Sequence, residues 1–179
     1  VDVGNDGYYV IRLDSAYDEE ATQKALIQYD GKQMVNTGDL AFVDEDGYYH
    51  IVGREKEMII RPDGHNNFPS EMEELLAKHP IVADCAVVGY PYPDYDSPLG
   101  EYPKAHIVLK EEYKNEQAAS EEMLKEYCLE NLPERDVPYY YEFHDKLPLT
   151  PVLKVDKEAL KASDKQQALE QKAKQKVKK

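Results

Sequence analysis

Three short segments carry charged and hydrogen-bonding side chains that could serve binding or catalysis. Residues 36–40 read NTGDL, residues 53–67 read GREKEMIIRPDGHNN, and residues 147–155 read LPLTPVLKV. A carboxylate such as that of Asp39 can accept hydrogen bonds from both hydroxyls of a ribose. The planar guanidinium of Arg54 offers a fork to phosphate or ribose oxygens, and the flexible stem of Lys154 can carry an ammonium to a distant charge.

Taken alone, each of these residues also has a plain structural interpretation. Asp39 can cap a turn, Arg54 can pair with a nearby surface acid, and Lys154 can simply face solvent. An imidazole titrates near neutral pH, which makes His65 a candidate general base, although a polar loop residue is the simpler interpretation. The patterns around these side chains must therefore decide between the alternatives.

Turn and periodicity signals predict the elements that position these side chains. Asp-Gly pairs at 46–47 and 63–64 predict hairpins over 40–52 and from 58 onward, because both central positions of such a turn favour positive φ. Ser70 and Glu73 predict a capping box ahead of a helix over about 70–79. The runs VADCAVVGY, KAHIVLK and PYYYEF predict strands. Further helices are predicted over 116–132 and from Asp156.

The predicted order from residue 57 onward is ββ, α, β, β, α, β, α. It indicates an α+β domain with its helices packed on one face of a small sheet. Residues before 53 are predicted to form hairpins and one short helix over 19–29, which are too small and polar to bury a core of their own. In the helix over 116–132 we expect six side chains to face inward: Ala119, Met123, Leu124, Tyr127, Cys128 and Leu132.

Charge and composition argue against several classes of protein. The chain has 22 basic and 36 acidic side chains, for a formal net charge of −14. Residues 157–179 hold 8 lysines and 3 acids, so the first 156 residues carry 14 basic and 33 acidic side chains. An acidic body disfavours nucleic-acid binding, and the apolar runs are too short for membrane insertion. Two cysteines make no disulfide framework and the five histidines have no zinc-ligand spacing, so we expect a cytoplasmic protein without a metal site.

Taken in order and spacing, the three segments resemble the C-terminal third of the adenylate-forming enzymes. This family includes acyl-CoA synthetases, the adenylation domains of peptide synthetases and beetle luciferases. The resemblance covers about residues 16–160 and includes the stretch AYDEEATQKAL ahead of NTGDL. It implies a β-rich end of a large N-terminal domain (1–55), a hinge at Lys56, a compact α+β lid (57–160) and a basic helical tail (161–179).

The resemblance also implies roles for individual residues. Asp39 and Arg54 would bind the nucleotide, with Asp39 on the ribose. Lys154 would reach from the lid and neutralise charge between the attacking carboxylate and the α-phosphate of ATP. The family usually has glycine directly before this lysine, where this chain has Leu153.

A second set of implied roles concerns the loop RPDGHNN at residues 61–67. In the family, the corresponding hairpin lines the channel for the thiol in the second half-reaction. Arg61, Gly64 and His65 are the residues of this loop that we single out, with Gly64 supplying the tight turn.

The implied activity is the ATP-dependent joining of a small carboxylic acid to coenzyme A through an acyl-adenylate, with ATP, AMP, Mg²⁺ and CoA as the cofactors of the intact enzyme. The phosphate loop and acid pocket are expected upstream in a missing N-terminal domain, so this chain is expected to be an incomplete, inactive fragment that holds no cofactor alone. Two alternatives stay open: an adenylation domain of the peptide-synthetase type, and a non-catalytic acidic interaction module.

Overall fold

The computed structural model describes residues 2–3, 9–10, 23, 25–29, 31–91 and 100–177. The chain divides into two compact units, Val1–Asp39 and Leu40–Lys179. The predicted hinge residue, Lys56, lies within the second unit, and its role stays a prediction.

The first unit contains two small pairs of antiparallel strands. These are β1 (Asp2–Val3) with β2 (Tyr9–Val10), and β3 (Leu26–Tyr29) with β4 (Lys32–Val35). The predicted helix over 19–29 is wrong at its C-terminal end, where residues 26–29 form β3. The Asp-Gly turn signal at 30–31 explains the difference, because it favours a hairpin that pairs both flanking segments, and Gly31 has a φ of 73°. Apart from residues 23 and 25, the rest of that prediction lies outside the described residues.

The two predicted hairpins are confirmed. The strands form two two-stranded sheets: β5 (Asp39–Val43) with β6 (Tyr49–Arg54), and β7 (Ile59–Ile60) with β8 (Asn66–Asn67). The glycines of both Asp-Gly turns take the left-handed conformation, with φ of 86° at Gly47 and 81° at Gly64. Asp44 stabilises the first turn, because its Oδ1 accepts the backbone N–H of Asp46 and of Tyr48 at 3.1 and 2.8 Å.

A mixed three-stranded sheet forms the centre of the second unit. Its strand order is β11 (Tyr140–His144), β10 (Glu101–Leu109) and β9 (Val82–Pro91). Strands β9 and β10 are antiparallel, whereas β10 and β11 are parallel. A parallel pair needs a long crossover connection, and the helix α2 (Gln117–Asn131) lies in it.

Helices cover both faces of this sheet, which corrects the prediction that they pack on one face. On one face, α1 (Pro69–Ala77) and α2 bury a cluster that includes Met72, Leu76, Val87, Ile107, Leu124 and Cys128. On the other face, α3 (Lys157–Val177) joins a second cluster of Ala86, Val88, Leu147 and Leu160. Successive strand residues point to opposite faces, so the unbroken apolar run of β9 serves both clusters. The α+β class is confirmed.

The predicted capping box at the start of α1 is wrong. The N-cap residue is Phe68, which makes no side-chain hydrogen bond. The Ser70 hydroxyl instead donates to the carbonyl of Val52 at 2.7 Å, and the Glu73 carboxylate accepts the N–H of Val87 at 2.7 Å. A proline at the first helical position has no N–H to satisfy, so both polar side chains are free to make tertiary contacts.

The buried stripe of α2 differs from the predicted one. Four of the six predicted side chains are at least partly buried: Leu124, Tyr127, Cys128 and Leu132. Ala119 and Met123 are exposed instead, whereas Ser120 is buried. Residues four apart lie above one another on a helix, so the stripe at 120, 124 and 128 faces the core. Among the residues that the structure describes, no helix is both long and apolar enough to cross a membrane.

Candidate functional site

Lys154 lies on a tight turn between β11 and α3. The Thr150 N–H donates to the Lys154 carbonyl at 2.7 Å, and the Thr150 Oγ1 accepts the Lys154 N–H at 3.2 Å. Leu149 and Val155 form an antiparallel bridge at the base of the turn. The turn therefore fixes the backbone of Lys154 while the residue stays exposed to solvent.

Leu153 gives this turn an unusual backbone. It has a φ of 61°, and its side chain is 80% exposed. The left-handed region favours glycine, because a Cβ is crowded there. The chain therefore keeps the backbone conformation that glycine adopts readily, although it carries a leucine before Lys154.

An ion cluster fastens the start of α3 to two other elements. The Lys157 ammonium lies 2.5 Å from Glu57 Oε2 and 3.0 Å from Glu73 Oε1. Burial alone would lower the pKa of Lys157, but the hydrogen bond to Glu57 and the charge of Glu73 raise its pKa above the usual 10.5. Lys157 thus joins the region just after Lys154 to α1 and to the segment just after Lys56.

Arg54 and Lys56 lie at the beginning of that segment. Arg54 is the last residue of β6, and its extended backbone leads into the short 3₁₀ turn Glu55–Glu57. The Met58 N–H donates to the Arg54 carbonyl at 3.2 Å, which closes the turn. Both Arg54 and Lys56 are exposed, so the turn presents two cationic residues to solvent.

Asp39 belongs to the first unit, where side chains shape the turn before it. The Gly38 N–H donates to Asn36 Oδ1 at 2.9 Å, and the Asp39 N–H donates to Thr37 Oγ1 at 3.2 Å. Gly38 has a φ of 73°, which suits glycine. Asp39 follows as the first residue of β5 and is exposed.

The loop at residues 61–67 is tied to the 3₁₀ turn Glu134–Asp136. The His65 Nε2 lies 2.7 Å from Asp136 Oδ1, and the Arg61 Nη1 donates to the Arg135 carbonyl at 2.6 Å. Gly64 closes the tip through its N–H, which donates to the Arg61 carbonyl at 2.9 Å. The structure thus brings Arg61, Gly64 and His65 together in one anchored loop.

A surface cleft of about 800 Å³ lies beside this loop. Three cationic residues, Arg61, Lys125 and Arg135, and one acidic residue, Glu134, line it. The Arg61 guanidinium lies over the Tyr102 ring at 5.2 Å from its centroid, and the buried Arg61 Nε has no hydrogen-bond partner among the described residues. With three cations against one acid, the lining has a net positive charge, which attracts negatively charged groups.

Sequence reasoning missed the residues that hold these segments in place. Lys157 and Glu57 are 100 positions apart, and His65 and Asp136 are 71 apart. A local pattern carries no signal for such pairs. Sequence reasoning also missed that His106 and His144 are neighbours. They lie on adjacent strands and are far apart in sequence, whereas the sequence was tested for histidine pairs at the helical spacing i, i+4.

Comparison with known proteins identifies the family of residues 71–154, which lie in the second unit. Residues 71–154 match the family model described as the AMP-binding enzyme C-terminal domain. A curated relative, the putative acyl-CoA synthetase YngI of Bacillus subtilis (strain 168), is 42% identical over 156 residues, which cover 87% of this chain and 26% of the relative. The chain carries an AMP-binding enzyme C-terminal domain.

Two other proteins similar to this AMP-binding C-terminal domain are named as CoA ligases. The long-chain-fatty-acid–CoA ligase of Bacillus subtilis (strain 168) is 36% identical over 139 residues, or 78% of this chain and 23% of the relative. The crystal structure of the anthranilate CoA ligase AuaEII in complex with anthranoyl-AMP is similar with a TM-score of 0.67 and 30% identity, over 90% of this chain and 32% of that one. The chain spans about a quarter of the length of these two curated relatives.

Proposed function

We propose that this chain is the C-terminal portion of an AMP-forming acid–CoA ligase, which joins a carboxylic acid to coenzyme A through an acyl-adenylate. The names of the relatives support this class of reaction. The observation that carries the proposal is the turn at 150–154, which holds the backbone of an exposed lysine at the position that the resemblance assigns to catalysis.

In the first half-reaction, the carboxylate of the acid attacks the α-phosphorus of ATP and pyrophosphate leaves with the electron pair of the broken bond. Negative charge accumulates where the two anionic reactants meet. The Lys154 ammonium stabilises that charge. In this proposal Asp39 binds the ribose hydroxyls and Arg54 contacts the nucleotide.

In the second half-reaction, the thiol gives up its proton to solvent and its sulfur attacks the acyl carbon, while AMP leaves with the electron pair of the broken acyl–oxygen bond. We assign the loop at 61–67 to the thiol channel, and the adjoining cleft with Arg61, Lys125 and Arg135 to the phosphates of CoA. His65 is held by Asp136, so its proposed role is to fix the loop. Lys56 is the proposed hinge about which residues 57–160 change orientation between the half-reactions.

The residues that we assign to the nucleotide do not include a set of magnesium ligands. Apart from Asp39, the proposed nucleotide-contacting side chains are cations, which are not magnesium ligands, so the residues present do not fit a Mg²⁺ site and no step is assigned to that ion. Because its relatives are about four times longer, we propose that this chain is inactive without an N-terminal domain. Both cysteines are free thiols, which fits a reducing cytoplasm.

The test is made in the native ligase that carries this sequence, with a panel of fatty and aromatic acids. We expect Lys154→Ala to slow acyl-adenylate formation by about 10²–10³-fold, as when one preorganised stabilising group is removed. Thioester formation from supplied acyl-adenylate should change little. Lys146→Ala is the matched control, since Lys146 is also exposed but lies outside the turn. Normal adenylation by the Lys154 variant, or equal loss of both half-reactions, would refute the assignment.

A further inference from the structure

A cluster of titratable side chains lies under α3, on the face of the sheet opposite α1 and α2. In the parallel pair of β10 and β11, His106 is the register partner of Glu142, and His144 follows two residues later on the same face. The His106 Nδ1 lies 2.8 Å from the His144 Nε2. One ligand atom from each of these three residues lies within 4.8 Å of the others.

Asp164 of α3 orients the inner histidine. Its Oδ2 lies 3.0 Å from the His106 Nε2, and its side chain is fully buried. When the Nε2–H donates to this carboxylate, the Nδ1 of His106 carries a lone pair that faces His144. A carboxylate behind the far nitrogen of the ring is the arrangement that orients metal-bound histidines in proteins.

The charges of the cluster favour a cation. The Lys104 ammonium contacts Glu142 Oε2 at 2.5 Å and Asp164 Oδ1 at 2.6 Å. Two carboxylates and one ammonium leave a formal charge of −1 when both imidazoles are neutral. The second oxygen of Glu142, Oε1, lies 3.8 Å from the His144 Nε2, and among the described residues its hydrogen-bond donor is Gln167, at a long 3.4 Å. That oxygen can therefore turn to a ligand.

We propose that His106, His144 and Glu142 bind one divalent transition-metal ion of the zinc class, with water completing a tetrahedral site. Two imidazoles and one carboxylate are a ligand set that zinc accepts, with Zn–N bonds of about 2.0–2.1 Å. Such bonds place the two nitrogens about 3.3 Å apart in a tetrahedron, so they need to separate by roughly half an ångström. His144 is 22% exposed and Glu142 is 31% exposed, which leaves them room to move and opens the site to solvent.

The test titrates ZnCl₂ into the 179-residue chain after treatment with a chelator, by calorimetry, and repeats the titration with Co²⁺ to follow its visible absorption. We expect one ion per chain and the intense absorption of a tetrahedral Co²⁺ site. His144→Ala should weaken binding at least tenfold. Asp164→Asn should weaken it about 10–100-fold, as for other carboxylates that orient a metal-bound histidine.

The control is His50→Ala, because His50 is an exposed histidine that pairs with Asp44 far from the cluster in sequence. It should bind Zn²⁺ as the unmodified chain does. Asp164 is buried, so Asp164→Asn counts only if its circular dichroism spectrum matches that of the unmodified chain. If the spectrum changes, the His144→Ala and Glu142→Gln variants decide, because both of these side chains are partly exposed. The proposal would be overturned if Zn²⁺ did not bind stoichiometrically, or if the His144→Ala and Glu142→Gln variants bound Zn²⁺ as tightly as the unmodified chain does.

Discussion

Replacing Leu153 with glycine should stabilise the second unit. Leu153 has a φ of 61° and is 80% exposed, so the substitution removes backbone strain and almost no buried apolar surface. A non-glycine residue in the left-handed region costs about 1–2 kcal/mol. Glycine adds freedom to the unfolded chain, which costs about 0.4–1 kcal/mol. Subtracting the second range from the first leaves a net gain of about 0–1.6 kcal/mol, with a midpoint near 0.8 kcal/mol.

Urea unfolding followed by circular dichroism measures this gain, with the midpoint rising while the slope stays constant. Val152→Gly is the matched control, because Val152 is 73% exposed and lies in the same turn, but is not among the residues with positive φ. The control should lose about 0.4–1 kcal/mol, since glycine adds freedom there and relieves nothing. If Leu153→Gly lowers the free energy of unfolding as much as Val152→Gly does, the left-handed backbone at Leu153 carries no free-energy cost and the reasoning is wrong.

Two further predictions concern partly buried polar groups. Lys157→Met should destabilise the second unit by about 1–3 kcal/mol, because Glu57 and Glu73 lose their shared partner. The pKa of Lys157 in the folded chain lies above 10.5. The loss in free energy of unfolding caused by Lys157→Met should therefore be largest below pH 10.5 and should shrink as the pH rises further. A loss that grows with pH would contradict the ion cluster. Burial, together with the charges of Glu73 and Asp84, raises the pKa of Cys85 to about 12. Labelling by a thiol reagent at pH 8 should therefore be roughly a thousandfold slower than for an ordinary cysteine, and fast labelling of the native chain would refute the burial.

Local signals predicted much of this fold. The Asp-Gly turns at the tips of both hairpins depend only on residues that are adjacent in sequence. Each needs a glycine with positive φ, as found at Gly47 and Gly64. The sequence pattern also predicted the order of strands and helices from residue 57 onward. In contrast, it could not tell which face of the sheet each helix covers, because β9 is apolar on both faces.

The capping-box error has the same cause. Ser70 and Glu73 have the right spacing for a local cap, but each is used by a partner that is distant in sequence, Val52 and Val87 respectively. The three candidate site segments were visible as motifs. The contacts that hold them, such as Lys157 with Glu57, arise from tertiary structure and leave no local pattern.

The hydrogen bond between Glu73 and the Val87 N–H also changes what the edge of the sheet exposes. β9 is the outer strand of its sheet, and an outer strand exposes amide groups that can template pairing with a strand of another molecule. The carboxylate occupies one of those amides in the middle of β9. The same side chain that helps to anchor α3 therefore occupies an edge amide that could otherwise pair with a strand of another molecule.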